Sequence, residues 1–223
     1  MKHFVDSAVR IVLFLLTVLF WTWVLDLQLT VIVDLSIIVG GVLVVFPIAW
    51  LGRKLLDNDP TLSRVALITT VVHYAVVILA GVATVRAIKT LQHWPGWVLP
   101  VPTEIGLLLV IVTSAATLLA VINLALKGLG APFAVALSRK LAVDWLYAWT
   151  RNPMVLAALA FGLSLGIWFQ SALFVLWVLI LFAPALIFYV KVYEERELEI
   201  RFGASYIEYK SRTPLLFPRK PGG

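Results

Sequence analysis

Tyr147-Ala-Trp-Thr-Arg-Asn-Pro-Met154 and Tyr193-Glu-Glu-Arg-Glu-Leu-Glu-Ile-Arg-Phe-Gly-Ala-Ser-Tyr-Ile-Glu-Tyr209 bracket two apolar runs, Met154–Phe169 and Ala172–Val190. Gln170 and Ser171 turn the chain between the runs. A hairpin of two membrane helices returns both polar flanks to the same membrane face. Charged and aromatic residues are thereby gathered at one mouth of an otherwise oily chain, and chemistry is expected there.

Working outward, the 223 residues are 62% apolar and 13% charged, with a mean hydropathy of +1.01. A soluble domain has about 45–50% apolar and about 25% charged residues. The class is therefore an all-α polytopic membrane protein. Absence of cysteine excludes disulfides, thiolate metal sites and a cysteine nucleophile. His3, His73 and His93 are too scattered to form a metal site. A net charge of +6 raises nucleic acid as a partner, but the basic residues flank apolar spans, where they specify topology instead.

Six spans are expected: Val9 to Leu25, Val31 to Leu51, Leu62 to Val85, Glu104 to Leu126, Met154 to Phe169 and Ala172 to Val190. Most approach the ~20 residues that cross a ~30 Å hydrocarbon core. The first resembles a signal peptide but lacks a small-residue cleavage site, so it is read as a retained span. With six spans both termini share one side, and sixteen of eighteen Lys and Arg fall there; Arg86 and Lys89 are the exceptions. This bias predicts cytoplasmic termini. Ser138 to Trp149 is expected to form an interfacial helix, because its aromatic residues suit the headgroup level. The last helix is expected to run past the lipid, kinked at Pro184, and to end in a cytoplasmic tail. The organisation is a four-span region, 1–126, followed by the polar-flanked hairpin region, 127–223.

Several features carry mainly structural readings. Gly162-Leu-Ser-Leu-Gly166 allows close helix approach within the hairpin. Asp34 stands within about a turn of the outer surface, in reach of headgroups. His73 has no ionisable partner in its own segment and reads as a hydrogen-bonded structural histidine. Asn123 suits a cap, packing or a pocket. Acids at 194–199 occupy the unfavourable end of the helix dipole, to be offset by Lys191, Arg196, Arg201 or a bound cation.

The order of these pieces is more specific than any one of them: Gly128-Leu-Gly130, an aromatic-Arg-x-Pro turn, a hairpin, Glu194-Glu195, then Phe-Gly-x-x-Tyr-x-x-Tyr and a proline-rich end. It resembles the integral membrane methyltransferases that include isoprenylcysteine carboxyl methyltransferases and phospholipid N-methyltransferases. The resemblance covers Lys127 to Pro218 and is strongest from Glu194 to Pro214, where it favours the isoprenylcysteine branch and its bacterial relatives. It implies an S-adenosylmethionine site between the last two helices and the tail. By this resemblance Gly128 and Gly130 contribute to the cofactor site, Arg151, Asn152 and Pro153 lie at the cofactor and reacting centre, and Glu194 and Glu195 complete the cofactor set. Arg151 and Glu195 are the candidate catalytic residues, with Arg151 orienting an anionic acceptor through paired hydrogen bonds. Tyr147, Trp149 or Tyr206 offers ring faces to adenine or the sulfonium.

The chain departs from the family pattern at three places. Asn152 replaces a common histidine, Val155 a tyrosine, and Trp145 a glycine. The implied activity is methyl transfer to a lipophilic acceptor in a prokaryotic cell membrane: an isoprenylcysteine-type carboxylate first, a phospholipid amine or hydrophobic thiol otherwise. A non-catalytic scaffold or a transporter is the alternative, although the two halves show no repeat of the kind transporters carry.

Overall fold

The computed structural model describes residues 2–92, 94–128 and 138–220, and the described chain is almost wholly helical. Helix α1 is Lys2–Asp26; α2, Val31–Leu43, and α3, Val45–Asn58, form one rod interrupted at Val44. Helix α4 is Leu62–Leu91, and α5, Thr103–Asn123, widens into a π turn at Leu124–Gly128. A short α6, Leu146–Trp149, precedes α7, Pro153–Trp168. The final rod comprises α8 (Ala172–Trp177), a π turn (Val178–Phe182), α9 (Ala183–Tyr189), a second π turn (Val190–Glu194) and α10 (Glu195–Phe202). Helix α11, Ala204–Arg212, folds back from its end.

Four helical rods are long and apolar enough to cross a membrane: Val31–Asn58, Leu62–Leu91, Thr103–Gly128 and Ala172–Phe202. Two expected spans are shorter, Pro153–Trp168 and the Ile11–Asp26 part of α1. Sixteen residues rise about 24 Å, less than the ~30 Å hydrocarbon thickness. Helix 138–149 is not formed as expected; only Leu146–Trp149 is helical. The reason is Trp145, whose φ of 55° and ψ of −119° interrupt any right-handed helix.

The core lies between the α2–α3 rod, α4 and the final rod, where Ile38, Val42, Ala49, Val72, Phe174 and Tyr193 are buried together. Outward positions remain aliphatic, such as Ile32, Leu67 and Ile180, as a lipid-facing surface requires. Tyr189 and the Nδ1 of His73 are 2.8 Å apart, so His73 is hydrogen-bonded across helices as expected. Tyr193 donates to Thr69 Oγ1 at 3.0 Å and its ring covers Gly52.

The hairpin turn is built from unusual backbone. Gln170 has a φ of 53°. Ser171 caps α8 by accepting from the Phe174 N–H at 3.1 Å and donates to the Leu91 carbonyl at 2.8 Å. Gly166 faces Val175 and Phe174, so the small residues of α7 do admit α8 closely. Pro184 lacks the N–H of a helical residue, and the π turn at Val178–Phe182 falls immediately before it. This is where a helix interrupted by proline is expected to rearrange.

Asp34 corrects its expectation. It is buried rather than in reach of headgroups, and it pairs with Arg86, whose Nε donates to Oδ1 at 2.6 Å. Thr90 donates to the other oxygen at 3.0 Å. Arg86 Nη1 also donates to the Val24 and Leu27 carbonyls, and Lys89 Nζ to those of Leu25 and Leu27. The two cations that break the charge bias therefore cap the open carbonyls at the end of α1.

Gly106 marks a close approach of helix to helix backbone, because a Cβ there would stand 2.4 Å from Trp168 Cα; at Gly40 nothing lies within 4 Å. Gly106→Ala is expected to lose about 1–3 kcal/mol by overpacking. Gly40→Ala is expected to gain about 0.5–1 kcal/mol. Thermal unfolding of the two detergent-purified variants beside wild type checks the opposite signs.

Candidate functional site

The turn before α7 is defined by Pro153 at the first helical position, where its missing donor costs nothing. Asn152 precedes it but does not cap α7 with its side chain. Its Nδ2 donates to the Leu215 carbonyl at 3.0 Å, and Thr150 Oγ1 donates to the same oxygen at 3.2 Å. The Arg151 N–H donates to the Pro214 carbonyl at 2.9 Å, and the Arg219 N–H to that of Trp149 at 3.0 Å. Residues 213–219 thus form a strap laid against residues 149–152.

Arg151 joins this strap to the final rod. Its Nη2 reaches Glu195 Oε1 at 2.5 Å, while Nη1 donates to the carbonyls of Lys210 at 2.7 Å and Thr213 at 2.6 Å. Lys210 Nζ holds the other Glu195 oxygen at 2.7 Å and Glu199 at 3.0 Å. Burial alone would lower the Lys210 pKa, but hydrogen bonds to Glu195 and Glu199 raise it above its ordinary value. Arg196 continues the network to Asp57 of α3 at 2.6 Å. With Glu197 held by Arg201, three of the four acids at 194–199 are thus paired with cations where the dipole alone would leave them unsupported. Lys191, one of the expected offsets, makes no ion pair among the described residues, whereas Lys210 fills that role.

Lys210 reaches back because of Gly203, whose φ of 53° and ψ of −131° end α10 and redirect the chain. Glycine takes that conformation without the Cβ clash. The Phe-Gly step was the sequence signal for this reversal; the partner it delivers was not visible. Tyr206 and Tyr209 are buried on the returning helix, and Tyr209 donates to the Tyr147 carbonyl at 2.6 Å. Burial, then the neighbouring Glu195 carboxylate, raises the Tyr206 pKa, with Arg151 opposing.

Glu194 differs from its neighbour. It is half-buried and has no hydrogen-bond or ion-pair partner among the described residues. It lies within electrostatic range of Tyr147, whose pKa is raised first by burial and then by the Glu194 carboxylate. The structure therefore brings Arg151 and Glu195 into direct contact, sets Asn152 and Pro153 on the adjoining turn, and leaves Glu194 near Tyr147 and Tyr206. Gly128 is joined only indirectly: its carbonyl accepts the N–H groups of Arg139 and Lys140, and Arg201 donates to the Ser138 carbonyl. A Cβ on Gly128 would meet Leu124 at 2.9 Å, so this glycine admits its own chain. Gly130 lies outside the described residues.

Two buried donors remain without a partner among the described residues, Arg151 Nε and Asn123 Nδ2. Asn123 is otherwise a cap, accepting the Leu146 N–H at 2.9 Å. Both Nη groups of Arg151 are engaged by the protein, so the paired donors expected for an anionic acceptor are occupied in this conformation. Between α7 and α9, Asn152, Val155, Ile187, Val190, Leu215 and Leu216 enclose about 10 Å³, close to the minimum for a single water. The strap leucines fill this cleft. No group of three or more His, Asp or Glu among the described residues is arranged to hold a metal.

Comparison with protein-family models, curated proteins and solved structures gives no match.

Two outcomes are expected of this geometry. Glu195→Ala leaves the buried Arg151 guanidinium uncompensated and should cost about 3–5 kcal/mol, whereas Lys210→Ala, at the rim, should cost about 0.2–1 kcal/mol; urea unfolding in mild detergent separates them. Trp145 holds the first central position of a tight turn closed by the Tyr147 N–H to the Asp144 carbonyl, with angles glycine favours. Trp145→Gly should therefore raise the thermal midpoint by relieving about 1–3 kcal/mol of strain.

Proposed function

We propose that the chain is an S-adenosylmethionine-dependent membrane methyltransferase acting on a lipophilic acceptor, an isoprenylcysteine-type carboxylate first among the candidates. In this reading it spans a prokaryotic cell membrane six times, with both termini cytoplasmic. The observation that carries the proposal is the Glu194 carboxyl, without a hydrogen-bond or ion-pair partner among the described residues, beside Tyr147 and Tyr206 where the Arg-Asn-Pro turn and the Glu-Glu helix meet.

The residues present fit the cofactor's chemistry. Glu194 suits its ammonium or ribose diol, and the tyrosine rings suit a cationic sulfonium. When bound, the cofactor supplies an electrophilic methyl group. This chain's contribution is then positioning and exclusion of water, since displacement at a methyl carbon by a carboxylate, amine or thiolate needs little proton transfer. Alignment of two reactants is worth roughly 7–11 kcal/mol. Arg151 holds Glu195 and the strap in register, and its Nε is the donor left for a ligand. Leu215 and Leu216 occupy the cleft, so ligand entry requires the strap to withdraw from Asn152 and Val155.

A second reading, a non-catalytic scaffold or transporter, draws on the same filled cleft and on the engaged Arg151. The two are separated by calorimetric titration of S-adenosylhomocysteine into the full chain in lipid nanodiscs, beside Glu194→Gln, which spares the Arg151–Glu195 pair. Saturable binding weakened at least about tenfold by the variant, equivalent to ~1.4 kcal/mol, is the expected result. A folded wild type that binds nothing would remove the methyltransferase reading.

A further inference from the structure

The strap has two sides, and only the inner one is used by the fold. Leu215 and Leu216 face the cleft between α7 and α9. Phe217, the next residue, is 80% exposed. Arg219 and Lys220 follow it, both exposed, and neither makes an ion pair with any carboxylate among the described residues. Arg219 Nη2 donates to the Arg212 carbonyl at 3.0 Å, which fixes the guanidinium against α11. Arg212 itself is shared with Glu208 at 3.3 Å. The strap end is thus an exposed ring with two uncompensated cations.

Its height relative to the apolar bundle is set by hydrogen bonds. Arg219 N–H meets the Trp149 carbonyl, and Trp149 stands four residues before Pro153, where apolar α7 begins. Phe217 and Arg219 therefore lie level with the end of the apolar helices. Trp149, 47% exposed, and Trp145, 56% exposed, lie on the same connection. Aromatic rings settle at this level, and neighbouring cations meet headgroup phosphates there. Exposure of Phe217 to bulk water would be unfavourable; at the interface its ring is covered and its flanking charges are solvated by phosphate.

The geometry points to the outer side of the strap, Phe217 with Arg219 and Lys220, as a docking surface for anionic lipid headgroups. Charge complementarity selects the occupant: the surface is cationic and sits where a bilayer presents its phosphates. Two Lys or Arg near an anionic leaflet together contribute about thirtyfold to local partitioning. Because the same seven residues supply the carbonyls that hold Arg151 and Asn152, docking also keeps the strap closed over the cleft. The inference is independent of any methyl transfer.

The native chain contains no cysteine, so Phe217→Cys carries one environment-sensitive fluorophore on the full-length protein. Nanodiscs of phosphatidylcholine alone are compared with nanodiscs containing phosphatidylglycerol. The expected result is a blue shift and protection from aqueous iodide with phosphatidylglycerol, lost at high salt and lost in an R219Q/K220Q background. Identical emission in the two lipids overturns the proposal. So does a shift that survives R219Q/K220Q, which would mean burial in the apolar layer or against protein. Should the first label disturb folding, Pro218→Cys provides the same comparison at the adjoining position.

Discussion

A single guanidinium holds the polar end of this protein together. Arg151 reaches the final rod through Glu195, α11 through the Lys210 carbonyl and the strap through that of Thr213. Its backbone N–H takes a second strap carbonyl, that of Pro214. A lysine in its place would supply a point charge without the planar fork that meets partners in two directions. The desolvation of Arg151 and Glu195 is offset by their direct contact and by the carbonyls that Nη1 meets, with Lys210 at the rim adding a partner for the second carboxylate oxygen. Asn152 and Thr150, both donating to the Leu215 carbonyl, complete the closure of the cleft.

The opposite end of the bundle uses the same chemistry for another purpose. Arg86 pairs with Asp34 and collects the last carbonyls of α1, tying α1, α2 and α4 where the chain would otherwise expose unsatisfied backbone. No water is available in hydrocarbon to satisfy such groups. At that end every donor of the cluster has a purely architectural partner. At the Arg151 end, Nε and the Glu194 carboxyl have no partner among the described residues, and in this the two ends differ.

Legibility of the sequence followed the range of the interactions. Local rules gave the apolar runs, the close packing at Gly166, the turn at Gln170–Ser171 and the structural role of His73. Interactions between distant residues were hidden: Asp34 and Arg86 lie 52 positions apart, and each was noticed without the other. Glu195 and Arg151 were both singled out, yet Lys210 was missed because only the reversal at Gly203 brings it back. The interfacial helix failed for a local reason, since Trp145 occupies a backbone conformation that its residue type disfavours. The strap had no periodicity to reveal it, being held by backbone carbonyls rather than by a side-chain pattern.

The final rod contains two π turns, Val178–Phe182 and Val190–Glu194. Each is in effect one residue inserted into an α-helix, and one residue turns everything beyond it by about 100°. The direction in which Glu195 points is therefore stored partly in the bilayer-depth backbone, well away from Arg151. Deleting a single aliphatic residue from either turn would leave composition and hydropathy almost unchanged while swinging the acidic face away from the turn it meets. The geometry of the polar end is thus counted out, residue by residue, within the oily part of the chain.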